Sequence, residues 1–208
     1  MSMARVGLLS RAEDGSYGIG PLPLQLTTIA FGGRQVLEEA DAYMARLAGE
    51  SHETVVLSVW GGLEPVVVKV HEDTTAAVTV SVRVGTRLPL DAAQSLLFLG
   101  LLRDRHEVEH LLGRLPAAVA DDLRLLSREA SERYLSMNSR FVRGVRAIAA
   151  PVFGTDGLLA TMAVVGMATA IPEDRESPIA NALQASAAQL SERLGGGAFW
   201  IGRHGADL

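Results

Sequence analysis

Residues 144 to 166 constrain this chain more than any other stretch. They read Gly144-Val-Arg-Ala-Ile-Ala-Ala-Pro-Val-Phe, then Gly154-Thr-Asp-Gly157, then Leu-Leu-Ala-Thr-Met-Ala-Val-Val-Gly166. Two apolar runs flank a four-residue turn signal, the local pattern of a β-hairpin. Asp156-Gly157 supplies the positive φ that such a turn needs. Val145, Ile148, Val152 and Phe153 before the turn, and Val164 and Val165 after it, suit a pleated surface. Both runs are apolar at nearly every position, so the hairpin is expected mid-sheet with both faces covered. Pro151 cannot donate to a ladder, which predicts a bulge or strand end there.

The chain around this hairpin reads as strands, then helices, then strands, the order of an α+β domain with an antiparallel sheet. Asp14-Gly15 between two short apolar pieces marks a further hairpin near the start. Pro21 to Ala30 can be helical, and Val36, Leu37, Ala40, Met44 and Leu47 recur at helical spacing up to a stop at Gly49. Thr54–Trp60 and Pro65–His71 read as strands about Gly61-Gly62, and Ala76 to Val84 alternates well enough for a third. Ala92 to Leu102 predicts a buried helix, and Arg103–Leu115 and Pro116–Leu135 amphipathic ones. A short strand near Met137 leads into the hairpin. Ser177 reads as an N-cap with Pro178 at the first helical position, and the helix runs to Gly195. The tail, including Phe199-Trp200-Ile201, carries no assignable structure.

Several chemistries have no anchor. The chain has no cysteine, so disulfides, thiolate nucleophiles and thiolate metal sites are excluded. Its net charge is −5, and no basic patch of a self-sufficient nucleic-acid binder is present. Arg5 and Arg11 read as surface arginines rather than phosphate contacts. No run approaches the roughly 18 apolar residues of a membrane span, and no leader pattern opens the chain, so a cytoplasmic protein without membrane contact is expected. No serine elbow, Walker loop or dinucleotide fingerprint occurs. His106-Glu107-Val-Glu-His110 matches His-Glu-x-x-His, which on a helix stacks two imidazoles beside a carboxylate and suits zinc. Its charged neighbours Arg103, Asp104, Arg105 and Glu109 instead suggest a wet helix face, and His204 in the tail is the only later histidine. A zinc hydrolase therefore stands only as a minor alternative.

Three blocks carry a family resemblance. Gly144 to Phe153 with Asp156-Gly157 and Val164-Val-Gly166, Glu53-Thr-Val-Val-Leu57 with Trp60-Gly-Gly-Leu-Glu, and Gly85-Thr-Arg-Leu-Pro89-Leu resemble the effector-binding domain of IclR-type transcriptional regulators. They stand in the family's order, and the likeness runs from about residue 6 to 195. It implies a GAF-like sensor fold, an antiparallel sheet of about six strands packed with helices, preceded by a wing remnant and a linker helix. The implied divisions are 1–20, the wing hairpin of a truncated winged helix-turn-helix; 21–33, a linker helix; 34–195, the effector-binding domain; and 196–208, a tail.

The implied function is small-molecule-dependent control of transcription by a homodimer or homotetramer, with no catalysis and no cofactor or metal. DNA would be bound only if the helices that precede the wing are present upstream. The alternative is a headless module that forms mixed oligomers with full-length regulators. Similar regulators build their pocket at positions that are here Gln94 and Ser95, Met137 and Asn138, Ala147, Ala163 and Val165. Arg140 stands where the family usually has an acidic residue. Fewer hydroxyls and an added arginine imply a larger, flatter, partly apolar organic acid as effector. The competing expectation is that Gln94 and Leu96 fill the space.

Overall fold

A computed structural model describes residues 3–12, 14–23, 35–73, 75, 78–129 and 134–201. The chain divides into two compact units, Met1–Glu38 and Glu39–Leu208. In the first, β1 (Leu9–Arg11) and β2 (Tyr17–Ile19) pair antiparallel, Leu9 opposite Ile19. Asp14 closes the turn: its Oδ1 accepts from the Ser16 amide at 2.9 Å, and Gly15 takes φ +85°. This is the hairpin expected from Asp14-Gly15. The linker-helix expectation for 21–33 falls largely outside the described residues, which stop at 23 and resume at 35.

The second unit is built on a five-stranded antiparallel sheet of order β4-β3-β7-β6-β5. Its strands are β3 (Thr54–Trp60), β4 (Pro65–His71), β5 (Leu135–Asn138), β6 (Val145–Gly154) and β7 (Gly157–Met167). The β6–β7 hairpin lies inside the sheet, as its two-sided apolar pattern requires. Gly157, at φ +123°, turns the chain. Pro151 neither ends the strand nor sits in the bulge, which falls one residue later, between Val152 and Phe153. β5 pairs with β6 only as far as Ala149, so Pro151 lies beyond that ladder and no neighbour on that edge misses its amide.

Helices cover both faces. On one face, Leu96, Leu97 and Leu99 of α2 (Ala93–Leu101) pack with Leu112 of α3 (Arg105–Leu112) and Leu123 of α4 (Ala117–Glu129) onto Leu135, Ala149 and Ala163. The opposite face carries α5 (Pro178–Arg193), whose Leu183, Ala187 and Leu190 are fully buried. Ser177 caps α5, accepting from the Ala180 amide at 3.4 Å, with Pro178 in the first turn. α1 (Gln35–Ser51) lies beside α5, bridged by Arg193 to Glu39 at 3.0 Å, and reaches β4 through Asp41, which holds both Lys69 and His71.

Four expectations need correction. α1 does not stop at Gly49; the left-handed residue that ends it is His52, at φ +56°, whose Nδ1 lies 2.6 Å from Asp73 Oδ2. Thr75, through its backbone amide first, and then His52 hold the Asp73 carboxyl down to about 2. Residues 78–84 form no strand among the described residues; the chain instead meets β4 at a single bridge, Val66 to Arg87. Leu135 is not the end of a helix but the first residue of β5. The tail does have structure directly after Gly195: α6 (Gly197–Ile201) stacks Phe199 on Phe153 at 5.4 Å, and Trp200 Nε1 donates to Ser191 Oγ at 2.9 Å.

Glu53, 8% exposed immediately before β3, lies against Gly166 of β7, where a Cβ would force its carboxylate to shift. Burial raises the Glu53 carboxyl above the ordinary range. The folded state therefore holds this proton more tightly than the unfolded one. The stabilisation is complete below the unfolded pKa, about 4.3, and is lost as pH rises through the folded value. Glu53→Gln is expected to remove that decline, so urea melts from pH 4 to 8 should show the variant gaining on the wild type as pH rises.

Candidate functional site

Sheet register decides what faces the α2 side. Thr54, Val56 and Ser58 alternate toward it on β3, and pairing places Val165, Ala163 and Thr161 of β7 beside them. The next rows continue through Ala147 and Ala149 of β6 to Met137 and Leu135 of β5. α2 covers the Ala163–Ala149–Leu135 row tightly. It begins too late to cover the adjacent row, and there a cavity of about 430 Å³ opens. Val165, Ala147 and Met137 floor it, Ala92, Ala93 and Gln94 of the α2 start form one wall, and residues 80–89 and 138–142 close the rim. The volume lies within the range of small-molecule sites, roughly 300–1,000 Å³.

Six of the eight residues singled out from the sequence meet here: Gln94, Met137, Asn138, Arg140, Ala147 and Val165. Ser95 and Ala163 do not line the cavity. Ser95 is turned away by one helical step, and its hydroxyl donates to Pro89 O at 2.7 Å, fastening the Leu-Pro corner. Ala163 sits in the closed row and is fully buried. Gln94 does not plug the space, because its Nε2 is drawn to the sheet, donating to Ser58 Oγ at 3.1 Å and Thr161 O at 3.1 Å. Leu96 packs in the core and leaves the cavity open. Ala92 gives α2 no side-chain cap, so first-turn amides remain for another acceptor.

The charges at the rim are unequal in availability. Arg140 is 47% exposed and committed: its Nη1 donates to Asp122 Oδ2 at 2.9 Å and lies 4.0 Å from Asp91. Arg87 pairs with Glu64 at 2.8 Å. Arg83 has no ion pair among the described residues, and sequence reasoning missed it by assigning its segment to a strand. The turn that carries it is tied down. The Thr86 amide donates to Arg83 O at 3.1 Å, and Gly85 N and Thr86 O bond Val67 O and N at 2.8 and 2.9 Å. Gly85 takes φ +88° in that turn. Gly85→Ala is accordingly expected to cost about 1–2 kcal/mol in a denaturant melt and to loosen the rim. Asn138 is fixed from behind, its Oδ1 accepting from Arg146 Nε at 3.0 Å. Arg146 is itself buried and donates to Ile171 O at 2.8 Å.

The His106–His110 pair lies on the exposed side of α3, whose buried residues are Val108, Leu111 and Leu112. Glu107 accepts from Trp60 Nε1 at 3.3 Å, and Trp60 packs on Phe98 at 5.6 Å. Among the described residues no group of three or more His, Cys, Asp or Glu comes together as a metal would need. His204 lies outside the described residues. No helix among them is long and apolar enough to cross a membrane.

Comparison with known proteins agrees with this architecture. The model of the family described as bacterial transcriptional regulator IclR C-terminal matches residues 29–192. The crystal structure of HmgR from Pseudomonas aeruginosa is 30% identical, with a TM-score of 0.68 over 93% of this chain and 81% of that one. A regulator of the same family from Silicibacter sp. is 23% identical, with a TM-score of 0.81 over 93% and 80%. The Agobacterium tumefaciens repressor BlcR is 23% identical, with a TM-score of 0.61 over 93% and 80%. No curated protein matches. The sheet with its helices on both faces, the family match and the likeness to HmgR establish that this chain belongs to the IclR family of bacterial transcriptional regulators and carries its effector-binding C-terminal domain.

Proposed function

We propose that the domain formed by residues 34–195 senses a partly apolar organic acid in the cavity beside α2, and that binding redistributes subunit arrangements within a homodimer or homotetramer. The cavity itself carries the reading: a concave, largely apolar cleft with a few fixed polar groups is the ordinary form of a small-molecule site. A ligand shifts arrangements only through different affinities for them, and any attached DNA-binding heads would be respaced accordingly. The β1–β2 hairpin is then the wing of a winged helix-turn-helix, with residues 21–33 as linker and 196–208 as tail. The family's regulatory role leaves the domain without a catalytic task.

Melting curves against a panel of aromatic and aliphatic acids, followed by light scattering on a sizing column, test this. At least one acid should raise the melting temperature in a concentration-dependent way and change the oligomer distribution. A rise with no change in oligomer distribution retains the sensor and discards the rearrangement. No rise with any acid discards both.

A further inference from the structure

We infer that Arg83, and not Arg140, is the residue by which the cavity selects a ligand bearing one negative charge. The inference rests on the sensing reading of the cavity and adds to it the group that reads charge.

Four charged residues line the cavity: Arg83, Arg87, Arg140 and Asp91. Arg87 is neutralised by Glu64, held through both Nε at 2.9 Å and Nη2 at 2.8 Å. Arg140 is neutralised by Asp122, and Asp91 stands 4.0 Å from the same guanidinium. A ligand carboxylate that took Arg140 would have to displace Asp122 and would meet Asp91 nearby, so little would be gained. Arg83 is the remaining cation, and no carboxylate among the described residues is within ion-pair distance of it.

Its placement favours recognition over chance. The turn 83–86 hangs on β4 by two backbone hydrogen bonds to Val67, so the arginine starts from a fixed backbone. The guanidinium is a planar fork suited to a carboxylate. Across the same cavity Asn138 has its carbonyl oxygen engaged by Arg146, which leaves its amide N–H groups to donate. The rest of the floor, Val56, Val165, Ala147 and Met137, presents no charge. One cation without an ion-pair partner among the described residues, over an apolar floor, suits a monocarboxylate with a hydrocarbon body. A dicarboxylate would leave its second charge without a partner, desolvated against that floor.

A rigid probe set separates the possibilities: 2-naphthoate, its neutral amide 2-naphthamide, and naphthalene-2,6-dicarboxylate, titrated calorimetrically into the full chain. Wild type should bind 2-naphthoate most tightly. Arg83→Ala should weaken that binding roughly 10- to 100-fold while leaving 2-naphthamide unchanged, and Arg83→Lys should recover part of the loss. Arg140→Ala should weaken it less than Arg83→Ala does. Arg114→Ala, away from the cavity, controls for net charge. Equal binding of acid and amide, or an undiminished affinity in Arg83→Ala, overturns the role of Arg83 while the cavity remains a binding site. A larger loss in Arg140→Ala reverses the assignment. If none of the three compounds binds while another acid of the panel raises the melting temperature, the role assigned to Arg83 falls and the sensing reading stands.

Discussion

Phe98→Ala is expected to destabilise the protein by about 3–5 kcal/mol. Phe98 is fully buried on α2 and packs against Trp60, whose indole in turn donates to Glu107 on α3. Truncation removes the aromatic contact and leaves a hole between β3 and the α2–α3 corner, where close-packed neighbours relax only in part. Chemical denaturation of the two proteins checks the size of the effect. A cost under about 1 kcal/mol would mean the α2 layer is loosely packed, against the full burial of Leu96, Leu97 and Leu99 beside it.

Filling the cavity should have the largest effect on binding. Ala147 lies in the open row of the floor, between Val165 and Met137, so a larger side chain there projects into the unfilled space. Ala147→Trp is expected to abolish the stabilisation produced by any acid that stabilises the wild type. Its cost in the free protein should be no more than the roughly 1–3 kcal/mol typical of overpacking. Paired melting curves with and without acid separate the two effects, because only the ligand-dependent shift should vanish. Retention of that shift would place the acid elsewhere on the protein.

Both variants probe features that differed in how plainly the sequence displayed them. The β6–β7 hairpin was legible because apolar runs and Asp156-Gly157 are local signals. Ser177-Pro178 was legible for the same reason: capping is decided within four residues. Misreadings arose where distant partners decide. α1 passes through Gly49 and ends at His52, whose side chain reaches Asp73 twenty-one residues on. The alternation of residues 76 to 84 suited a strand, yet β4 bonds the later turn at Gly85 and Thr86.

The same distinction runs through the site. Val165 and Ala163 lie on one face of one strand, and the family resemblance weighted them equally. Only the docking position of α2 seals Ala163 and leaves Val165 open. Gln94 and Ser95 are adjacent in sequence, but one helical step sends the hydroxyl to Pro89 and keeps the amide at the cavity wall. Arg140 was visible as a departure from the family pattern. Its capture by Asp122 of α4 depends on a contact across eighteen residues that no local pattern encodes.

A crystal structure of the chain grown with the acid that raises its melting temperature most would test the sensing claim most directly. The account predicts ligand density enclosed between Val165, Ala147 and Met137, with the α2 start alongside. Density on the outer surface only, or a cavity closed by rearranged side chains with the acid bound elsewhere, would contradict it.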